Sequence, residues 1–412
     1  MPAIPYALPE TEVFDFTSPT KENAKIEYTI PKGFPERYEH ERVWVGSEIA
    51  KQPEKWTLVL DEDDKKAVAE GLKSFQALGV PAGALSAETF PLPSALSQRL
   101  KKISHTIHNG CGFTIVKGIN PSDFTEEENT LVMGGISAHV ASLRGFQDLN
   151  QEAVVCHVVS EELKPNQGRA RWRPAFTNGI CCFHTDIGDI LALYAKEVSK
   201  TGGETFLSSS SQTYNELAAS NHGRELLHEL LQNWTYYHSQ DFQLDGAPLL
   251  HTSGDNLVFN FSRIPVTGFR DEGPSRTLPP PTPIRLEAMR VVNETMTKNR
   301  FEVPWERGDI LYFNNLSLMH ARNAFDLDVE GNPLDSNRHL IKLVLRDPEL
   351  MWQVPTGLKR LDDHFYGPNK KTGGRSEFWE LRYGDTPTRD DGGPDTTPPP
   401  PEPDTKPPVA NG

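Results

Sequence analysis

Cysteine is scarce in this chain. Four occur in 412 residues, at 111, 156, 181 and 182, with no C-x-x-C pair. That argues against a disulfide scaffold and a zinc–thiolate site. It fits a reducing compartment, so the expected location is cytoplasmic. No run approaches the roughly 18 apolar residues that a membrane helix needs. The opening MPAIPYALPETEVFDF has no basic segment followed by an apolar one and does not read as a signal peptide. A basic stripe is also missing. The net charge is −15, which makes nucleic acid a poor partner. No internal repeat is visible. The expected partner is a small-molecule substrate, with no nucleic acid and no membrane; oligomeric state stays open.

What is present divides into three parts. Residues 1–55 are rich in Pro, Glu and Tyr and read as an extended arm lying over the body. Residues 384–412 hold nine prolines, six acids and two bases and almost nothing to bury, so this tail is expected to stay disordered. The body is 56–383. There, DEDDKKAVAEGLKSFQAL spaces Val68, Leu72 and Phe75 as a helix does, and PSALSQRLKKISHTI does the same with Ser94 as its cap. GFTIVKG, GDILYFNN and RHLIKLVLRD read as strands. Helices come first and strands later. The expected fold class is mainly β with flanking helices (α+β), with helices packed on one side of the sheet core.

The stretch CCFHTDIGDILALYA (181–195) reads as a buried strand carrying a histidine and an aspartate two residues apart. Residues so spaced share a face of a strand, which would aim His184 and Asp186 at one point. Of the 13 histidines, His184 alone begins an H-x-[DE] pattern. His320, in GDILYFNNLSLMHAR, is the natural third ligand. Two histidines and one carboxylate leave coordination positions open, as in the facial triad of non-haem Fe(II) oxygenases. A lone H-x-D is more often a surface pair or a capped turn. Cys181 and Cys182 are better explained as small core residues.

The strand that follows adds weight. In RHLIKLVLR, Arg338, Leu340, Lys342, Val344 and Arg346 share one face, and the other face is mostly apolar. A cation-bearing inner face suits a barrel that holds an anion. A guanidinium matches a carboxylate through two parallel bonds. The competing reading pairs Arg338 with a carboxylate of the protein.

Together, H184-T-D186, the T-G-G-E-T ending at Thr205, H320 and R338-H-L-I-K342 resemble the taurine dioxygenase and clavaminate synthase-like family of Fe(II)/2-oxoglutarate-dependent oxygenases. The resemblance spans about 56–350 and includes the helix–FPLP–helix–GF lead-in of fungal members. It implies a double-stranded β-helix (jelly roll) core. It implies that His184, Asp186 and His320 bind Fe(II), and that Thr205 and Arg338 bind 2-oxoglutarate, with dioxygen as the second cosubstrate. Arg338 follows His320 by 18 residues, more than is usual, so Arg346 is the fallback. Arg322 lines the mouth or pairs with an acid of the 321–337 loop. Lys342 stands where relatives often carry arginine. It either binds an anionic substrate group or pairs with a protein carboxylate such as one from 326–335.

The activity implied is oxidation of an unactivated C–H bond of a small, anionic organic substrate, by hydroxylation, desaturation or ring closure, in secondary metabolism. A metal-dependent hydrolase is a second reading but leaves Arg338 and Thr205 unexplained. A catalytically silent jelly-roll binding protein is a third, though it would normally have lost one of these five positions.

Overall fold

The structure is a computed structural model. It describes residues 26–148, 150–160, 174–239, 242–263, 266, 281–327, 338–369 and 373–386. Most of the tail, the first 25 residues and 328–337 lie outside the described residues.

Runs buried on both faces build the central strands. In chain order the strands are β1 (Thr57–Val59), β2 (Phe113–Lys117), β3 (Leu143–Arg144), β4 (Val155–Val159), β5 (Cys181–His184), β6 (Ile190–Glu197) and β7 (Thr205–Ser209). Two hairpins follow, β8 (Trp234–Ser239) with β9 (Phe242–Ala247) and β10 (Leu250–Ser253) with β11 (Asn256–Phe259). The last strands are β12 (Phe301–Glu302), β13 (Ile310–Asn314), β14 (Leu318–Arg322) and β15 (His339–Arg346). One sheet runs β1-β2-β13-β6-β15-β3, with β4 also paired to β15. A second, four-stranded sheet runs β12-β7-β14-β5.

The two sheets face each other across a shared core. Leu191, Leu193, Phe313, Leu340 and Val344 come from the larger sheet, and Leu207 and Leu318 from the smaller. Side chains alternate along a strand, so Ile341, Leu343 and Leu345 of β15 point the other way. They meet Val68, Leu72, Phe75, Leu96 and Leu100 from the helices Glu62–Ala77 and Ser94–Asn109. The first of these starts with a capping box between Asp61 and Asp64. The second is capped differently from expectation. Pro93 holds the cap position without a side-chain bond, and Ser94 is the first helical residue.

Helices cover both sheets, which corrects the expectation of one covered side. Phe206, Met319 and Ala321 project from the outer face of β7 and β14. They pack on Tyr214, Leu226, Leu227, Val292 and Met296 from the helices Ser210–Ala218, Asn221–Leu230 and Pro283–Lys298. Both sheets carry apolar residues on both faces, so each needs an outer layer as well as the shared core.

The described part of the arm docks on this body. Tyr38 and Trp44 are buried, and Trp44 Nε1 donates to the Cys111 carbonyl at 2.9 Å. At the other end, Trp379 and Glu380 are buried, and Thr130 Oγ1 donates to the Leu381 carbonyl at 2.9 Å. Among the described residues no helix is long and apolar enough to cross a membrane.

Candidate active site

His184 and His320 are brought together by strand pairing. They are direct partners in the β5–β14 register, and their rings lie 4.1 Å apart between centroids. Asp186 arrives by a different route from the one expected. The 181–195 stretch is not one strand. β5 ends at His184, and β6 begins at Ile190. Asp186 sits in the loop between them, so its approach to His184 owes nothing to strand period. Gly188 allows the reversal at φ +83°. A Cβ there would come within 2.1 Å of Val344 Cγ1 and 2.6 Å of the Tyr366 hydroxyl, so only glycine fits. The Thr185 N–H donates to the Phe261 carbonyl at 2.7 Å, and Thr185 Oγ1 accepts from the Phe261 N–H at 2.8 Å. Each of His184, Asp186 and His320 then offers one ligand atom, all within 4.8 Å of one another.

The local electrostatics suit a cation. His184 Nδ1 donates to the Cys182 carbonyl at 2.8 Å, which leaves Nε2 facing Asp186 Oδ1 at 3.6 Å; burial opposes its ionisation, but Cys181 and Asp186 hold the imidazole well above its usual range, so a metal would take the place of the Nε2 proton. A backbone acceptor on the far nitrogen is the usual way a ligating imidazole is oriented. Burial opposes ionisation of Asp186. Lys342, His184 and His320 outweigh it and hold the carboxyl well below the usual range. Lys342 Nζ donates to Asp186 Oδ2 at 2.9 Å. Burial, with the charge of His184, pushes His320 down to about 3, so it is neutral and able to donate a lone pair. Its Nδ1 is buried with no hydrogen-bond partner. Two imidazoles, a carboxylate and an orphaned ring nitrogen fit an open divalent-metal site. Cys181 Sγ lies 3.8 Å from His184 Nδ1 but does not belong to the ligand group.

Arg338 and Thr205 meet a short distance away along the barrel. Thr205 opens β7 and is paired with Arg322 of β14. Arg338 immediately precedes β15. Arg338 is 6% exposed and Thr205 2%. Among the described residues, Thr205 Oγ1, at 3.3 Å from Nη2, is the only hydrogen-bond partner of the Arg338 guanidinium. Among the described residues no carboxylate reaches it. Burial and the nearby Arg322 push the Arg338 pKa down to about 9. A buried guanidinium in that condition costs several kcal/mol. A ligand carboxylate removes the cost.

The other cations of this region are placed as follows. Arg346 Nε and Nη2 bind the two oxygens of Asp189 at 2.6 and 2.8 Å. It also pairs with Asp362 and lies 3.7 Å over the Tyr366 ring. Arg322 donates to the carbonyls of Pro174, Thr177 and Gly179, so it ties down the segment that leads into β5. Neither of the sequence readings for Arg322 described this, because carbonyl acceptors leave no residue-type signal. Phe313, also unsuspected, sets its ring 5.2 Å from that of His320.

The family model for taurine catabolism dioxygenase TauD, TfdA family matches residues 75–343. The chain is 32% identical over 336 residues to the taurine hydroxylase-like protein SAT17 of Stachybotrys chartarum, covering 79% of this chain and 84% of that one. It is 24% identical over 327 residues to FR-33289 synthase of Streptomyces rubellomurinus, covering 77% and 92%. Among solved structures, an asparagine oxygenase in complex with Fe(II), 3-hydroxyasparagine and succinate superposes with TM-score 0.55 at 13% identity, covering 71% of this chain and 94% of that one. The non-haem iron oxygenase OrfP in complex with Fe and α-ketoglutaric acid does so with TM-score 0.51 at 15% identity, covering 70% and 93%. These likenesses support the jelly-roll core.

Proposed function

The chain belongs to the TauD, TfdA dioxygenase family of non-haem Fe(II)/2-oxoglutarate-dependent oxygenases, and from that premise we propose that His184, Asp186 and His320 hold its Fe(II) while Arg338 and Thr205 hold 2-oxoglutarate. The observation that carries the second half is the buried Arg338, whose guanidinium reaches Thr205 and no carboxylate among the described residues. The hydrolase and the silent binding protein left open by the sequence find no support in these relatives.

When bound, the iron with 2-oxoglutarate and dioxygen supplies the oxidising chemistry, releasing succinate and carbon dioxide. The chain supplies position. His184 keeps its Nε2 aimed inward through the Cys182 carbonyl. Lys342 keeps Asp186 ionised and oriented through Oδ2. Arg338 and Thr205 offer an anchoring bond each to a distal carboxylate. The apolar inner faces of both sheets keep water from the reaction.

The substrate we propose is a small organic acid or amino acid, oxidised at an unactivated C–H bond. Its anionic group would meet the Lys342 ammonium, a point charge that tolerates varied anion shapes. Lys342 holds Asp186 at the same time, so one ammonium would serve ligand and substrate. The relatives add support: the solved asparagine oxygenase holds a hydroxylated amino acid. A role in secondary metabolism accords with the FR-33289 synthase relative. The four cysteines are unpaired, which agrees with a cytoplasmic enzyme, and the net charge of −15 offers nothing to nucleic acid.

Succinate formation tests the reading. Purified protein with Fe(II), 2-oxoglutarate, dioxygen and ascorbate should release succinate, stimulated by small amino and organic acids. His184→Ala should release none above background while keeping its fold by circular dichroism. Full activity in His184→Ala would sink the assignment.

A further inference from the structure

We infer that Asn315 is the positioning residue that sets Asp186 against His320, an inference that rests on reading these two and His184 as an iron site. His184 and His320 face each other through the β5–β14 ladder, so sheet hydrogen bonds fix their spacing. Asp186 has no such support. It lies past the end of β5, in a loop, where backbone position is ordinarily softer. Something else must hold it to the tolerance that a metal site demands.

The Asn315 side chain does so. Its Oδ1 accepts from the Asp186 N–H at 2.8 Å. Its Nδ2 donates to the Asp186 carbonyl at 2.9 Å and to the Gly188 carbonyl at 2.8 Å. Its own backbone N–H donates to the Asp189 carbonyl at 2.8 Å. One residue, 1% exposed, thus binds both sides of the Asp186 backbone and the two turn residues beyond it. Both amide donors and the amide acceptor are used.

The residue's place in the chain gives this clamp its meaning. Asn315 follows β13 and precedes His320 by five residues, on the turn that leads into β14. Its neighbour Asn314 shapes that turn, accepting from Leu316 N–H at 3.0 Å and Ser317 N–H at 3.1 Å. The paired asparagines therefore divide the work. Asn314 shapes the turn that carries the chain from β13 in one sheet to β14, with His320, in the other, and Asn315 bolts the Asp186 loop to that turn. Only an asparagine amide fits. Aspartate would set an acceptor against two carbonyls. Glutamine is a methylene too long, and an aliphatic residue would strand three part-buried backbone groups.

The test measures Co(II) alone, titrated into the metal-free full-length protein and followed by its d–d absorption, so that turnover is not involved. Asn315→Asp should weaken Co(II) binding by about 10- to 100-fold, the usual consequence of removing a group that orients a ligand. In an Asp186→Ala background the same change should add no further loss, because the residue acts through Asp186. A purely structural role would lower affinity equally in both backgrounds. Asn315→Ser, which removes the amide without adding charge, serves if Asn315→Asp does not fold. Wild-type affinity in either folded variant, or an equal loss in the Asp186→Ala background, overturns the inference. Failure of both variants to fold also overturns it and assigns Asn315 to the framework. A wild-type protein that binds no Co(II) overturns the iron-site reading, and this inference with it.

Discussion

Arg338 and Arg346 stand at the two ends of the inner face of β15, and they are provided for in opposite ways. Arg346 has Asp189, Asp362 and the Tyr366 ring around it. Its charge is neutralised within the protein. Arg338 is as deeply buried and, among the described residues, has one hydroxyl. Between them, Lys342 shares its charge with Asp186. In the sequence the two arginines are alike, a cation on the same strand face in a run of aliphatics. The difference lies in what the rest of the chain brings to each. A saturated buried cation belongs to the framework. An unsaturated one marks where a ligand's carboxylate belongs. On this ground we assign 2-oxoglutarate to Arg338 and not to Arg346.

Arg346→Met should show the larger effect on stability. It leaves Asp189, whose pKa burial already raises, without its partner. The expected loss is about 3–5 kcal/mol in denaturant unfolding. Arg338→Met should lose far less, or gain, because it removes an uncompensated buried charge. Equal losses would erase the contrast between the two ends.

The outer face of the same strand supplies a second contrast, sensitive to pH. His339 points away from the barrel. Lys196 Nζ reaches its Nδ1 at 3.4 Å, and its Nε2 lies 2.7 Å from His157 Nδ1. His157 Nε2 in turn donates to the Glu380 carbonyl at 2.8 Å. The ammonium at one end and the carbonyl at the other fix both tautomers as neutral, leaving no place for an added proton. Burial pushes His157 down to about 4, and burial with His157 and Lys196 holds His339 well below its usual value. Both folded pKa values are depressed. Stability is therefore complete above the ordinary value of 6.5 and is lost as pH falls towards 4. For His157 the loss amounts to about 3 kcal/mol. Unfolding midpoints measured from pH 7.5 to 4.5 should fall, and fall less steeply in His157→Gln. An identical slope in the variant would remove the pair from the account.

Lys342→Met should have the smallest of these effects. At saturating Fe(II), it should raise the KM of an anionic substrate about tenfold and leave that of 2-oxoglutarate unchanged. A neutral substrate handled equally by both proteins, with no anionic one preferred, would show that Lys342 serves Asp186 alone.

The sequence made the residue types legible, and through them the chemistry. His184, Asp186 and His320 come together, Thr205 meets Arg338, and the periods of 62–77, 113–117 and 339–346 match their elements closely. What stayed illegible depends on distant segments meeting. Lys342 finds Asp186 across 156 residues, while most of its neighbouring 326–335 loop lies outside the described residues. The Asp186 loop was mistaken for strand because its apolar neighbours continue the pattern on either side, and only the partners of Gly188 reveal the reversal. The outer helix layer over β7 and β14 escaped notice because a strand buried on both faces reads as a plain apolar run.

Cosubstrate binding tests the central claim most directly. Mn(II)-loaded protein, kept free of dioxygen, is titrated with 2-oxoglutarate in a calorimeter, for wild type, Arg338→Met and Arg346→Met. The account predicts saturable one-to-one binding in wild type. It predicts a loss of about 1.5–3 kcal/mol, that of a charge-assisted bond, in Arg338→Met, and near-normal binding in whatever Arg346→Met remains folded. Undiminished binding in Arg338→Met, with loss in folded Arg346→Met, would contradict it.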